Sequence, residues 1–254
     1  MIRGLYIGAS GMLAELRRTE VIANNLANAA TDGYKRDELV EESFPALLLR
    51  RFNDPAGPAT LPAGYPPVVG PLNLGAVATE TATDWAAGPL TETGNPLDLA
   101  IAGEGMFAVQ TPNGVRYTRD GAFTRNGQGQ LVTESGFPVL GEQGPLALGN
   151  GEVSVAPDGT VSVDGQMVGR LLVIRFPHGG LVKEGGNLFA AAAAGEPVDS
   201  ETTVQQGFVE RSNVNTVREM IGLIASVRSY EANQRLIQME DELLQKAVTE
   251  VGRV

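Results

Sequence analysis

Residues 2–30 read IRGLYIGASGMLAELRRTEVIANNLANAA, and their spacing decides the fold class. Ile2, Leu5, Ala9, Met12, Leu16, Thr19, Ala23, Leu26 and Ala30 recur at alternating intervals of three and four. That is the a/d seam of a helical heptad. Only Thr19 is polar, and the alanines let another helix approach closely. Thr31-Asp32-Gly33 then predicts a stop, with Gly33 able to take the left-handed conformation that closes helices.

The same pattern returns at the other end. Met220, Leu223, Val227, Tyr230, Gln234, Ile237, Asp241, Leu244, Val248 and Val251 form a second stripe, interrupted by Gln234 and Asp241. Thr216 with Glu219 three residues on reads as a capping box, while Asn213 and Asn215 offer competing caps.

Between the helices the period changes to two. Leu97–Ile101, Phe107–Val109, Val115–Thr118, Leu131–Thr133 and Val153–Val155 read as short strands. Asn113-Gly114, Asp120-Gly121, Asn126-Gly127, Asp158-Gly159 and Asp164-Gly165 punctuate them with residues that tolerate positive φ. The apolar run Leu171-Leu172-Val173-Ile174 predicts a buried central strand. The predicted fold is therefore α+β, with N- and C-terminal helices pairing as a coiled coil around a central antiparallel β-rich domain. The expected divisions are residues 1–34 and 212–254 for the helical domain, 35–83 for an extended linker or arm, and 84–211 for the β domain. Residues 53–75, rich in Pro, Gly, Ala and Asn, carry the linker reading. Phe44-Pro45-Ala46-Leu47-Leu48-Leu49 reads either as a short helix or as an apolar docking segment.

Composition narrows the function. At 254 residues the chain can bury a sizeable core, and the absence of cysteine excludes disulfides and thiolate metal sites. A formal charge of −11 argues against binding nucleic acid or an anionic membrane. The pairs Lys35–Arg36 and Arg50–Arg51 are too short to reverse that. No stretch approaches the roughly 18 apolar residues of a membrane span, so no membrane insertion is expected. The N-terminus lacks the h-region and cleavage site of a secretory signal.

Enzyme chemistry finds little support. The only histidine, His178, sits in a Gly-rich turn, so no Ser-His-Asp set assembles without committing it. Gly103-Glu104-Gly105 begins like a dinucleotide loop but lies between strands and lacks a third glycine. Asp158 and Asp164 have hairpin-turn explanations that outweigh a glycosidase pair. No metal-ligand spacing appears, and no cofactor is expected. Asp84-Trp85 holds the one tryptophan, read as a packing anchor at the domain's edge.

Two apolar stripes must be buried somewhere. Either the helices pack on each other with neighbouring subunits covering the remainder, or they form an ordinary layer on their own sheet. Asn24 and Asn28 share a helix face; they either fix register against a neighbour or loosen and cap the helix end.

Several blocks carry a family resemblance. Ala23-Asn24-Asn25-Leu26-Ala27-Asn28 followed by Thr31-Asp32-Gly33-Tyr34-Lys35 is similar to a signature of the flagellar basal-body rod family (the FlgF/FlgG type, related to the hook protein). So are Asn95–Ile101 with Gly105 and Phe107, and Tyr117–Phe123 continued by Gly129–Val132. Gln206–Glu210, Ser212–Asn215 and Arg228–Asn233 complete the series in the family's order. The resemblance implies a structural subunit of the rod, built into a helical tube by its terminal helices and transmitting torque from motor to hook. Arg17-Arg18-Thr19-Glu20, Phe44-Pro45 and the short linker look more like the proximal-rod type than the distal one. Implied partners are copies of the chain, other rod and hook proteins, the type III export apparatus and surrounding ring proteins. The implied location is the basal body, reached without a cleaved signal. The expected assembly interface is Leu5, Met12, Leu16, Asn24, Asn25, Leu26, Asn28, Met220, Leu223, Val227, Tyr230, Ile237, Leu244 and Val248. A monomeric β-rich binding module and a carbohydrate-active enzyme of the cell wall are the competing classes.

Overall fold

The structure, a computed structural model, describes residues 2–50, 68–73, 75–177, 179–198 and 202–251. His178 and most of the 53–75 stretch lie outside the described residues, as do the side chains of Ile2 and Val251. Among the described residues there are two helices, α1 (Ile2–Ala27) and α2 (Thr216–Val251), with an antiparallel strand-rich region between them. The fold is α+β. Neither helix is long and apolar enough to cross a membrane.

The chain divides into two compact units. One contains α1 as far as Leu26, residues 37–84 and α2. Its strands form two ribbons, Asp37–Ser43 against Ala76–Thr83 and Leu47–Arg50 against Val68–Leu72. The leucines after Pro45 thus adopt a strand, with Leu47 and Leu48 exposed. α1 ends one turn before the apolar spacing does. Thr31 turns back there, its amide donating to Asn28 O (3.2 Å) and its hydroxyl to Asn28 Oδ1 (3.3 Å). Asn favours such local bonds over continuing a helix.

The second unit comprises residues 27–36 and 85–215. Its main sheet has six strands in the order Leu181–Gly185, Leu188–Ala191, Gly114–Thr118, Met106–Thr111, Val173–Arg175 and Glu196–Pro197. The predicted Leu171–Ile174 strand is internal, as expected, but starts at Val173. The predicted strands Leu131–Thr133 and Val153–Val155 match their observed limits. Asp164 and Gly165 are the two loop residues between paired Val163 and Gln166, both at positive φ (50° and 79°). That matches the turn type which follows strand twist. Asn113-Gly114 behaves differently: Gly114 already pairs with Thr111, so Pro112 and Asn113 make the turn.

The core lies in this unit. Phe107, Phe123, Leu99, Ile101, Val109, Val139 and Leu148 are fully buried within one cluster. Phe107 meets Phe123 edge-on at 5.2 Å between ring centres. Each such phenylalanine contributes about 1.5–3 kcal/mol by leaving water. Met106, Phe107, Ala108 and Val109 are buried in succession, so this strand is covered on both faces. Trp85 packs on Phe189 at 5.0 Å.

Candidate assembly interface

The helices of the first unit meet in opposite directions along an unexpected line. A methyl group added at Gly4 would lie 2.7 Å from Glu240 Oε1, at Gly8 2.9 Å from Ile237 Cγ1, and at Gly11 2.9 Å from Asn233 Nδ2. Three glycines three and four apart thus let α1 lie close to α2. Further along, the Ser226 hydroxyl donates to Glu15 Oε2 (2.6 Å) and lies 3.1 Å from Thr19 Oγ1. Ile22 lies against Gly222, and Asn25 Nδ2 points at Glu219 Oε2 (3.5 Å). The contact line on α1 is therefore Gly4, Gly8, Gly11, Glu15, Thr19, Ile22 and Asn25. Apart from Thr19, which belongs to both, it sits one residue, or about 100° of helix rotation, from the apolar stripe.

On α2 the buried and half-buried positions recur as Glu219, Leu223, Ser226, Tyr230, Asn233, Ile237, Glu240, Leu244 and Ala247. Of the expected interface residues, Leu223, Tyr230, Ile237 and Leu244 are on this line. Met220, Val227 and Val248 are exposed. On α1, Leu5, Met12 and Leu26 are half-buried and Leu16 and Asn24 are exposed, and Asn28, just past its end, is half-buried. Asn25 is the buried amide: it donates to Asp37 O (2.7 Å) and accepts from Asp37 N (2.9 Å), satisfying both halves of one backbone unit. The outer surface of the helices mixes charged residues such as Arg17 and Glu20 with large apolar ones. Tyr6 (71 % exposed), Leu13 (65 %), Val217 (63 %), Ile221 (64 %) and Ile224 (55 %) face solvent, as do Met239 and Leu243.

The second unit holds a polar centre that the sequence reading passed over. Glu210 is buried between two cations, accepting from Lys35 Nζ (2.6 Å) and from Arg119 Nε. Arg119 also donates to the carbonyls of Ile101 (2.8 Å), Gly103 (2.7 Å) and Gly105. The Gly103-Glu104-Gly105 loop, which began like a nucleotide motif, wraps a guanidinium. Lys35 Nζ reaches Ala86 O (2.8 Å), and Gly88 N donates to Glu210 Oε1 (2.8 Å). Gly33 N donates to Glu210 O (2.7 Å). Burial alone would push the Glu210 carboxyl up, but Arg119 and Lys35 outweigh it and hold it below the ordinary carboxylate value. The signal available in the sequence was a charge directly after an apolar pair, Phe208-Val209-Glu210.

The neighbouring Asp120 behaves oppositely. Burial, with added repulsion from Asp32, Glu134 and Asp98, pushes it up to about 6 against the pull of the Ala122 amide. It lies next to Arg119 in the chain, yet its carboxylate turns to its own loop, accepting from Ala122 N (3.0 Å). Asp158 is a turn residue: the Thr160 amide (3.1 Å) and then its hydroxyl (2.8 Å) hold its pKa below the ordinary value. A general acid needs the reverse.

Comparison with known proteins gives the family. Residues 5–35 match the description "Flagella basal body rod protein", 100–163 "Flagellar hook protein FlgE/F/G D1 domain", and 205–250 "Flagellar basal body rod FlgEFG protein C-terminal". The chain is 36 % identical to the flagellar basal-body rod protein FlgG of Buchnera aphidicola subsp. Schizaphis graminum over 97 % of its length and 98 % of the relative's. The chain belongs to the flagellar basal-body rod family. It is likewise 36 % identical to the rod protein FlgF of Caulobacter vibrioides, across the full length of both chains. The hook-basal body complex protein FlhO of Bacillus subtilis is 31 % identical, also end to end. The three family segments of this rod-family chain each contribute one member of the buried ion centre: Lys35, Arg119 and Glu210.

Proposed function

We propose that this chain is a structural subunit of the bacterial flagellar basal-body rod, polymerising through its terminal helices and transmitting torque from motor to hook. The observation that carries the reading is the outward apolar face of α1 and α2, around Leu13, Val217, Ile221 and Ile224. A monomer gains nothing by leaving such a stripe in water, since soluble proteins keep contiguous apolar patches small. Helices of neighbouring subunits, packed in coiled-coil fashion, cover it. On this reading α1 and α2 line the tube. The partners are copies of the chain and other rod and hook proteins. Export through the type III apparatus and passage through surrounding ring proteins belong to the same reading.

The test uses exposed positions, so that folding and assembly separate. Leu16→Asp and Ile224→Asp should each leave the monomer's melting within about 0.5 kcal/mol of the parent, as surface changes do. In cells each should abolish rods in basal-body preparations, and swimming with them. Normal rods in both variants would refute the helix-face interface.

A further inference from the structure

The chain passes between its two compact units at four peptide bonds, after residues 26, 36, 84 and 215. Within the second unit, the segments next to these crossings are tied to Glu210 and to Asn213. The strap of residues 27–36 is held by Gly33 N to Glu210 O and by Lys35 Nζ to Glu210 Oε1. Its last residue is held by Arg36 N donating to Asn213 Oδ1 (2.8 Å). The segment entering at residue 85 is held through Ala86 O, which accepts from Lys35 Nζ and from Asn213 Nδ2 (3.2 Å), and through Gly88 N on Glu210 Oε1. The segment leaving towards α2 contains Glu210 and Asn213 themselves. Arg119 ties the same carboxylate to the loop at Ile101–Gly105.

We infer that the Lys35–Glu210–Arg119 centre is the joint that anchors the strap within the β-rich unit, fixing where force arriving along the chain from the helices enters that unit. The chemistry suits the task. Apolar contacts are non-directional and let surfaces slide. Charge-assisted bonds are short and oriented, and a buried ion pair broken on one side leaves an uncompensated charge, so displacement meets a steep rise in energy. Around the strap, Lys183 Nζ sits 4.0 Å from the centre of the Tyr34 ring and donates to Lys35 O (2.9 Å). Asn187 Nδ2 donates to Asp32 O (2.9 Å), and Arg211 pairs with Asp32 (3.0 Å). The strap is thereby gripped along its length, with the Lys35 side chain on the central carboxylate.

Lys35→Met removes that grip while leaving the Arg119–Glu210 pair in place. In purified full-length monomer, hydrogen exchange at residues 31–36 should accelerate by about tenfold or more, with amides of Met106–Thr111 unchanged, because local opening is decoupled from the core. The load readout rests on the rod-subunit reading. Variant cells should assemble rods and swim in dilute medium, yet lose more speed than the parent in viscous medium. Unchanged exchange at 31–36, equal acceleration of the core strand, absence of rods, or an unaltered response to viscosity would each overturn the joint. Should Lys35→Met not fold, Asn213→Ala releases the same crossings without touching the buried charges. It should accelerate exchange at residue 36 several-fold, and no change there would refute the inference. The exchange arm uses monomer alone, so its failure is distinct from a failure of the rod reading, which Leu16→Asp and Ile224→Asp address.

Discussion

Two arginine–glutamate pairs in the β-rich unit are chemically alike and differ in burial, which makes them a matched test. Arg116 forks onto Glu184 at 2.6 and 3.1 Å, with the glutamate side chain 41 % exposed. Arg119 grips Glu210 where both side chains are almost wholly buried, and its other nitrogens serve three backbone carbonyls. Removing one partner of a buried pair costs about 3–5 kcal/mol, because the other charge is stranded. The orphaned carbonyls add to this by about 1 kcal/mol each where water does not reach them. These costs overlap, so Arg119→Met should destabilise by about 4–6 kcal/mol. For a chain of this size that is a fall in Tm of roughly 10–20 °C. Arg116→Met should cost about 0.5 kcal/mol, since exposed pairs are screened and lose side-chain entropy on forming. Thermal melting of the two purified variants by circular dichroism measures both. If their destabilisations agree within about 1 kcal/mol, burial is not what distinguishes the pairs, and the account of Glu210 as an anchored charge is wrong.

Two further outcomes follow from the same unit. Gly33 sits at φ +67°, and a Cβ there would lie 2.3 Å from Asp120 N and 2.5 Å from the Arg119 carbonyl carbon. Gly33→Ala should therefore destabilise by about 2 kcal/mol or more in urea titration, beyond the 1 kcal/mol scale of a left-handed alanine alone; a neutral result would show that the strap does not lie against that backbone. Asp120, raised from 3.8 to about 6, binds a proton in the folded chain at pH values where the unfolded chain has released it. Stability should fall as pH rises from about 4 to about 6 and be flat in this respect above, and Asp120→Asn should remove that slope. Glu210, displaced the other way, acts below its ordinary value, so its contribution is lost only in more acid solution. An Asp120→Asn variant with the parent's slope across pH 4–6 would refute the assignment.

The period-two segments were legible because their residues alternate around turns whose chemistry is local. Val153–Val155 and Leu131–Thr133 needed no knowledge of what they pack against. Both helices were legible from their three-and-four spacing. Which face α1 turns towards α2 was not, because an apolar stripe marks a face to be covered without saying whether the cover is in the same chain. Gly4, Gly8 and Gly11 carry the same spacing one residue away, and small residues permit the closest approach of two backbones. Reading for apolar residues alone passes over that row. Asn25 was among the expected residues, but its bond to the backbone of Asp37 depends on where the chain turns after the helix. The ion centre was illegible for a different reason: its three members are 84 and 91 residues apart in sequence, and only tertiary folding brings opposite charges to one buried point.

The glycine-lined, partly polar contact between α1 and α2 bears on the kinetics of growth. Because this contact leaves Ile221 and Ile224 outside, a lone pair of subunits can shield only part of each other's helix surface. A subunit added to an existing tip, flanked by several copies, is shielded on more sides at once. On the rod reading, addition at a tip is then strongly favoured over pairing in solution. Such a polymer has a critical concentration and a lag before growth that short seeds abolish. On that reading, the apolar side chains left exposed on these helices act as a nucleation barrier, restricting polymerisation to sites where a template already stands.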